Sequence, residues 1–124
     1  IINNTDRHFL NFGVLRDTST MKLIGPAPIF DSGNSMFFND DGKVVHTRVS
    51  ILKQQISDFY KIEERILKKV KNHNLVNADL LPTPSEVKEF YSNTGIPEEK
   101  SSVISKNYEI KLQYTGNRYW FHDR

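Results

Sequence analysis

Two different spacings of apolar residues divide the chain into a first part with short extended runs and a longer part with helical repeats. In the first part, the apolar runs 12–16 and 21–24 are separated by the polar stretch 17–20, whose aspartate, serine and threonines favour a turn. This arrangement predicts a β-hairpin. The stretch 25–28, with a glycine and two prolines, interrupts regular structure, and 39–42 predicts a further turn.

Positions 48–72 have the spacing of one long amphipathic helix. Their apolar residues recur at intervals of three, four or seven, which places them along one face of a helix. We therefore predict a single helix across this range. The residues that define its apolar face are Leu52, Ile56, Phe59, Ile66 and Val70, with Val49, Ile62 and Leu67 widening the face.

Two further helices are predicted from the signals at their ends. Thr83 can cap a helix that begins at Pro84, and Glu86 completes a capping box. Gly95 is suited to end that helix, and Pro97 with the two glutamates after it predicts the start of another. The residues between the long helix and Thr83 predict a loop. The apolar stripe of the last helix consists of Ile104, Tyr108 and Leu112 and runs towards Tyr114.

The composition is that of an ordinary soluble domain. The chain has 124 residues, of which 37% are hydrophobic and 26% charged, which suits one domain over residues 1–124. It contains no cysteine, which excludes disulfides and a thiolate nucleophile and fits a reducing compartment. Its apolar runs are far shorter than the roughly 20 residues that span a bilayer. We therefore expect a cytoplasmic protein with no membrane association.

Three oxygen-bearing side chains have the order and spacing found in kinase active sites. Asn11 follows Asp6 by five residues, and Asp31 comes 20 residues after Asn11. In kinases an aspartate accepts the proton of the attacking hydroxyl, and an asparagine and a later aspartate bind the Mg²⁺ that bridges the phosphates. We predict Asp6 as the catalytic base, and Asn11 and Asp31 as ligands of the metal and its nucleotide, on two loops that the hairpin joins. The alternative is that all three only form turns.

The segments around these residues resemble a known family. Residues 4–13, Asn-Thr-Asp-Arg-His-Phe-Leu-Asn-Phe-Gly, and residues 27–33, Ala-Pro-Ile-Phe-Asp-Ser-Gly, are similar to the catalytic and metal-binding segments of HipA-like kinases. The first segment also resembles the catalytic loop of phosphoinositide kinases, but the residues around Asp31 are closer to the HipA type.

The resemblance implies an α+β, mainly helical fold: the C-terminal lobe of a protein-kinase-like fold, with a short β-hairpin that bears the active-site loops and about three helices. It implies an ATP-dependent serine/threonine protein kinase, often the toxin of a bacterial toxin–antitoxin pair, with ATP and Mg²⁺ as cofactors. The implied partners are a protein substrate with Ser or Thr and an antitoxin. Neither a glycine-rich phosphate loop nor a Val-Ala-Ile-Lys-like segment occurs, so we expect a partial protein that lacks the nucleotide-binding N-terminal lobe and is inactive alone.

Two other functions stay open at this point. One is a kinase for a small molecule or a lipid, because the surfaces that choose the acceptor are expected in the missing part. The other is a non-enzymatic helical interaction or nucleic-acid-binding module, in which the basic stretch 61–71 contacts phosphates. The net charge of +2, from 17 basic and 15 acidic residues, gives no one-sided field, so a solvated helix face is favoured over direct nucleic-acid binding.

The remaining polar and aromatic candidates are assigned structural roles. His8 is expected to form structural hydrogen bonds, and His46, His73 and His122 are too scattered for a helical zinc site. The aromatic segment 119–121 is expected to pack onto the chain or to fill an interface with a missing domain.

Overall fold

The described part of the chain, residues 3–72 and 76–113, folds as a small α+β domain in the computed structural model. It is mainly helical, with four α-helices and one two-stranded antiparallel sheet. Within it, no helix has the length and apolar character needed to cross a membrane. The predicted α+β class is therefore confirmed, with one helix more than expected.

The first large element is the β-hairpin. Strand β1 is Val14–Arg16, strand β2 is Leu23–Pro26, and the strands pair antiparallel with an irregularity after Leu15. In the turn, the Asp17 carboxylate accepts hydrogen bonds from two backbone N–H groups and one hydroxyl, which lower its pKa. The predicted hairpin is confirmed, although β2 continues through the glycine and proline that were expected to interrupt it.

The single helix predicted over 48–72 is wrong. The structure has two short helices there, α1 at Arg48–Leu52 and α2 at Glu63–Leu67. Two residues of the predicted apolar face show the failure, because Ile56 is 6% exposed whereas Phe59 is 74% exposed. The apolar residues of this range therefore do not share one helical face.

The break between α1 and α2 is a closed loop with its own hydrogen bonds. The Ile56 N–H donates to the Lys61 carbonyl at 2.9 Å, and Asp58 Oδ1 accepts from the N–H groups of Tyr60 and Lys61. Asp58 thus offers these backbone donors a partner that competes with helix formation. The Ser57 N–H also donates to the Thr5 carbonyl, a contact that no local spacing reveals.

Helix α3, Pro84–Asn93, begins where its end signals predict. The Thr83 hydroxyl accepts from the Glu86 N–H, and the Glu86 carboxylate accepts from the Thr83 N–H at 2.7 Å, which completes the capping box. Gly95 follows the helix with a φ of +86°, a left-handed conformation that glycine adopts without strain. The predicted helix is confirmed.

Helix α4, Glu98–Leu112, packs against α3 and is the longest of the described helices. It begins after Pro97, as predicted, and its buried side chains include Ile104 and Tyr108 of the predicted stripe. The predicted end near Tyr114 lies outside the described residues. Before α3, the predicted loop contains one 3₁₀ turn at Ala78–Leu80, and its residues 73–75 are also outside the described part.

Within residues 3–72 and 76–113, two apolar clusters form the core, and two adjacent residues link them. Phe37 packs with Ile51 of α1, while Met36 packs against the cluster that α3 and α4 form from Val87, Ile104 and Tyr108. Met36 and Phe37 have φ values of +57° and +58°, which are unfavourable for side chains of this size. The two side chains thus fix the segment after residue 31 to both clusters.

Buried polar groups join the helices to the preceding loops. Asn107 accepts from the His46 N–H at 2.7 Å and donates to the Val44 carbonyl at 2.9 Å. The Lys111 ammonium forms an ion pair with Glu63, so α4 is also bound to α2. These contacts satisfy polar groups that would be costly to bury alone.

The hairpin buries little of its own apolar surface. The β1 residues Val14 and Leu15 and the β2 residues Leu23 and Ile24 are all exposed. Because successive residues of a strand point to opposite faces, apolar side chains lie on both faces of the sheet. Its position therefore depends on the loops at its two ends.

Candidate functional site

The three predicted site residues lie on the two loops that flank the hairpin. Asp6 and Asn11 belong to the loop before β1, which ends in a 3₁₀ turn at Phe9–Asn11. Asp31 belongs to the loop that follows β2. We call these the first loop, residues 4–11, and the second loop, residues 30–34.

Arg7 joins the two loops directly. Its Nη1 atom donates to the Asn11 carbonyl at 2.6 Å and to the Phe30 carbonyl at 2.7 Å. Its Nη2 atom donates to Ser32 Oγ at 3.2 Å. A guanidinium carries several donors in a rigid planar arrangement, so one side chain can hold both loops at a fixed separation.

The carboxylate of Asp6 is fixed by a residue of the second loop. Its Oδ2 atom accepts from the Asn34 amide at 3.0 Å, and its own N–H donates to Asn4 Oδ1 at 3.0 Å. The Asp6 side chain remains 37% exposed. A carboxylate that is oriented by one hydrogen bond but open to solvent can still accept a proton from an incoming hydroxyl.

His8 lies near Asp6 but contributes to the local fold. Its Nδ1 atom accepts from the Leu10 N–H at 3.2 Å and so caps the 3₁₀ turn. Its Nε2 atom is 3.9 Å from Asp6 Oδ1. The expected structural hydrogen bond is therefore present.

The Asn11 side chain is hydrogen-bonded to the Asp6 backbone. The residue is 3% exposed, and its Nδ2 atom donates to the Asp6 carbonyl at 2.5 Å. Among the described residues, its Oδ1 atom has no hydrogen-bond partner. The amide is thus oriented through its nitrogen, and its oxygen is the atom left for a ligand.

Asp31 is the least constrained of the three residues. It is exposed and has a φ of +53°, while its carbonyl accepts from the Asn4 amide at 3.4 Å. No described residue forms a hydrogen bond or ion pair with its carboxylate. Aspartate is one of the non-glycine residues that adopt a left-handed conformation most readily, so this backbone fits a turn.

The structure brings the two loops together without bonding Asn11 to Asp31. One is buried and the other is exposed. The loops are joined by Arg7, by hydrogen bonds of Asn34 with Asp6 and Thr5, and by the Asn4 amide with the Asp31 carbonyl. The described residues include no group of three histidine or acidic side chains that could hold a metal ion. Amide and carboxylate oxygens are nevertheless the donor types that Mg²⁺ prefers, so the donor set of Asn11 and Asp31 fits this ion.

Sequence reasoning missed two residues that connect the loops. Arg7 directly follows Asp6 and Asn34 comes three positions after Asp31, but their partners are 23 and 28 positions away. Proximity to Asp6 and Asp31 was the only signal available. The hairpin was expected to fix the loop separation, and these two side chains do so as well.

A cavity of about 310 Å³ lies beside the first loop. The Ser57 N–H donates to the Thr5 carbonyl at 2.9 Å, which sets the loop between α1 and α2 against the first loop. The cavity is mainly apolar. The described residues that line it are Arg7, Phe9, Phe12, Asp58, Phe59 and Tyr60.

The basic stretch 61–71 has the character of a solvated surface. Lys68 pairs with Glu64 at 2.7 Å, and the Lys69 ammonium lies 5.7 Å from the centre of the Tyr60 ring. All five basic residues of the stretch are exposed. They are Lys61, Arg65, Lys68, Lys69 and Lys71.

Of the other histidines, only His46 lies within the described residues. His46 Nε2 lies 2.6 Å from Asp40 Oδ2, in a contact that fastens the segment before α1. His73, His122 and the aromatic segment 119–121 lie outside the described residues.

Comparison with known proteins identifies no relative of this chain. No protein-family model, curated protein or solved structure matches the chain. The chemistry of the site is therefore inferred from its residue types, their spacing and their contacts.

Proposed function

We propose that the chain supplies the catalytic base and the Mg²⁺ ligands of an ATP-dependent serine/threonine protein kinase of the HipA-like type. In this proposal it forms the C-terminal lobe of a kinase-like fold and acts in the cytoplasm. The nucleotide is covered by a further lobe, because no glycine-rich loop occurs in the sequence. An antitoxin is the further partner that this type of kinase implies.

The proposed roles follow from the surroundings of each side chain. Asp6, oriented by Asn34 and open to solvent, accepts the proton of the acceptor hydroxyl. Asn11 and Asp31 offer an amide oxygen and a carboxylate to Mg²⁺. When bound, the ion would neutralise the charge on the phosphate oxygens during transfer.

The observation that carries the proposal is the contact of Arg7 with both loops. A base and a metal site act together only when they are held at a fixed separation. Arg7 binds the backbone at Asn11 and at Phe30, the residue before Asp31, through a single nitrogen atom. Residues that only formed turns would not require this connection.

Metal binding can be tested on the 124-residue chain without any catalytic activity. Mn²⁺ is a paramagnetic substitute for Mg²⁺ and broadens the NMR signals of amides near its site. We expect broadening at residues 6–11 and 30–34. We expect Asp31→Asn to weaken it at least about tenfold, since a lost ligand should cost no less than a lost outer-sphere contact.

The matched control is Asp79→Asn, which removes an exposed carboxylate from the 3₁₀ turn before α3. This variant should bind Mn²⁺ like the unmodified chain. Equal broadening in the Asp31 variant, or broadening centred on Asp79, would overturn the proposed metal site.

Phosphoryl transfer is tested on the protein that contains both lobes. Radiolabelled ATP is offered with an unstructured Ser/Thr polypeptide, with glycerol, and with phosphatidylinositol vesicles. We expect label only on the polypeptide, and none with Asp6→Ala, which should still bind Mn²⁺. Label on glycerol or on the lipid would instead support the small-molecule or lipid kinase.

A further inference from the structure

A second cavity lies between the second loop and α3. Its volume is about 380 Å³, close to the lower end of the range for small-ligand pockets. It is separate from the aromatic cavity beside the first loop, since the two share no described lining residue. The described residues that line it are Ser32, Gly33, Ser35, Met36, Phe38 and Tyr91.

One hydroxyl at this cavity lacks a hydrogen-bond partner. Ser35 is 8% exposed, and its Oγ atom is buried with no partner among the described residues. Most buried polar side chains have a partner, so each exception requires an explanation. A hydroxyl that binds a ligand would have its partner only in the complex.

A second hydroxyl is already oriented by the connection between the loops. Ser32 Oγ accepts from Arg7 Nη2 at 3.2 Å, so its own hydrogen is free for a different acceptor. Each serine can therefore donate a hydrogen bond to an oxygen atom of a ligand, Ser35 once its buried hydroxyl turns towards the cavity. Rotation about the Cα–Cβ bond of Ser35 moves its hydroxyl between staggered positions.

The remaining walls are apolar and held rigidly. Met36 packs against the core formed by α3 and α4, and the next residue, Phe37, is buried against α1. Met36 and Phe37 both have left-handed backbones, which persist only when the surrounding packing imposes them. The Met36 side of the cavity is thus formed before any ligand binds.

The charge of the lining selects between ligand classes. All six described lining residues are uncharged, and burial raises the pKa of Tyr91, so its phenol stays neutral. The Lys100 ammonium lies 4.2 Å from the centre of the Phe38 ring but is not among the lining residues. Arg7 also adjoins the cavity through Ser32, but its guanidinium is already engaged by three acceptors. The uncharged lining favours a peptide segment, which offers a carbonyl for the serines and a side chain for the apolar walls, over a fully charged ligand.

We infer that this cavity binds a polypeptide, with a main-chain carbonyl on the Ser35 and Ser32 hydroxyls and an apolar side chain against Met36, Phe38 and Tyr91. This inference rests on the proposed function, where it identifies the occupant as the acceptor protein. The cavity adjoins the loop of Asp31, so the bound segment would lie beside the phosphoryl-transfer site.

The test is an NMR titration of the 124-residue chain with N-acetyl-leucinamide, which carries one apolar side chain between two amide groups. We expect saturable shifts at residues 32–38 and near Tyr91. N-acetyl-glycinamide should bind at least about threefold more weakly, because it lacks the side chain that the apolar walls would bury. ATP should cause no shifts at residues 35–38 or near Tyr91, which lie outside the second loop.

Two variants separate binding from folding. Ser35→Ala removes a hydroxyl that has no partner in the free protein, so the midpoint of urea unfolding should stay equal or rise while binding weakens. Gly33→Val places a side chain at the cavity, where a Cβ atom meets nothing within 4 Å, and should block binding without unfolding. Ser85→Ala, at an exposed position of α3, should change neither property.

Several results would overturn the inference. Shifts elsewhere on the chain, equal affinity for the glycine probe, or unchanged binding by Ser35→Ala would overturn it. A clear loss of stability in Ser35→Ala would give the hydroxyl a structural role and also overturn it. The titration contains no metal, so its failure is separate from failure of Mn²⁺ binding at Asp31.

Discussion

Arg7 Nη1 lies 2.7 Å from the Phe30 carbonyl, although the two residues are 23 positions apart. This hydrogen bond crosses from the first loop to the second, and the same nitrogen also binds the Asn11 carbonyl. The loops are therefore joined by a side chain as well as by the chain between them.

Arg7→Lys should loosen the connection between the two loops while keeping the positive charge. Lysine has a single ammonium on a flexible chain and cannot reproduce the planar arrangement of donors. We expect a loss of about 1–3 kcal/mol in the free energy of unfolding, measured with urea. Mn²⁺ broadening should also weaken at residues 30–34. Arg16→Lys, at an exposed position of β1, is the control, and an equal effect of both changes would contradict the role of Arg7.

Lys111→Met should be far more costly alone than together with Glu63→Met. The side chains of this ion pair are 4% and 13% exposed, so removal of one leaves the other charge buried without its partner. We expect the single change to cost about 3–5 kcal/mol and the double change to recover most of it. Urea unfolding of all four proteins in the cycle gives the coupling. Additive losses would show that the pair is not coupled.

Thr83→Ala should weaken the start of α3. The hydroxyl accepts from the Glu86 N–H at 3.2 Å, and loss of such a cap costs about 1 kcal/mol. Thermal unfolding measures the change. Ser85→Ala, two positions further along, removes no capping bond and should have a smaller effect. A larger loss of stability with Ser85→Ala would contradict the assignment of Thr83 as the N-cap of α3.

The capping box should also give the fold a defined pH dependence. The Thr83 N–H, followed by the Thr83 hydroxyl, holds the pKa of Glu86 below its ordinary value of 4.5. A lowered folded-state pKa means that the ionised carboxylate stabilises the fold at neutral pH, and that this contribution is lost as the pH falls from 4.5 through the folded-state pKa. The stability advantage over Glu86→Gln should therefore shrink below pH 4.5. If the stability advantage over Glu86→Gln instead grew below pH 4.5, the lowered pKa of Glu86 would be contradicted.

Lys61→Gly should stabilise the protein, against the usual effect of glycine. Lys61 has a φ of +68°, a conformation that is costly for a residue with a Cβ atom. We expect a gain of up to about 1 kcal/mol in the free energy of unfolding, after the entropic cost of glycine is subtracted. Lys53→Gly is the control, because Lys53 has a φ of −90° and should lose stability. Losses of equal size at both positions would contradict the conclusion that the Lys61 backbone is strained.

The parts of the fold that sequence reasoning predicted depend on neighbours in the chain. The turn at Asp17 and the start of α3 at Thr83 are each built from groups within three positions of one another. The helix predicted over 48–72 failed because Asp58 forms a local turn within an apparently helical pattern. The Ser57 contact with Thr5 then holds that turn, and apolar spacing carries no information about a bond across 52 positions.

The same difference between local and long-range contacts applies to the candidate site. The residue types and spacing of Asp6, Asn11 and Asp31 could be selected from the sequence, because metal and proton chemistry restricts which side chains can serve. The hydrogen bond from Asn34 to Asp6 could not be predicted from the sequence, since it depends on how two distant loops meet. The cavity at Ser35 was not predicted either, because an unpaired hydroxyl is defined only by what surrounds it.

The exposed hairpin has a consequence for the order in which the molecule opens. Its strands bury few apolar side chains, so separating them requires little of the free energy that unfolds the helices. Amide protons of Val14–Arg16 should therefore exchange with solvent long before those in the middle of Glu98–Leu112. The two loops could keep their separation through such openings, because Arg7 and Asn34 hold them from outside the sheet.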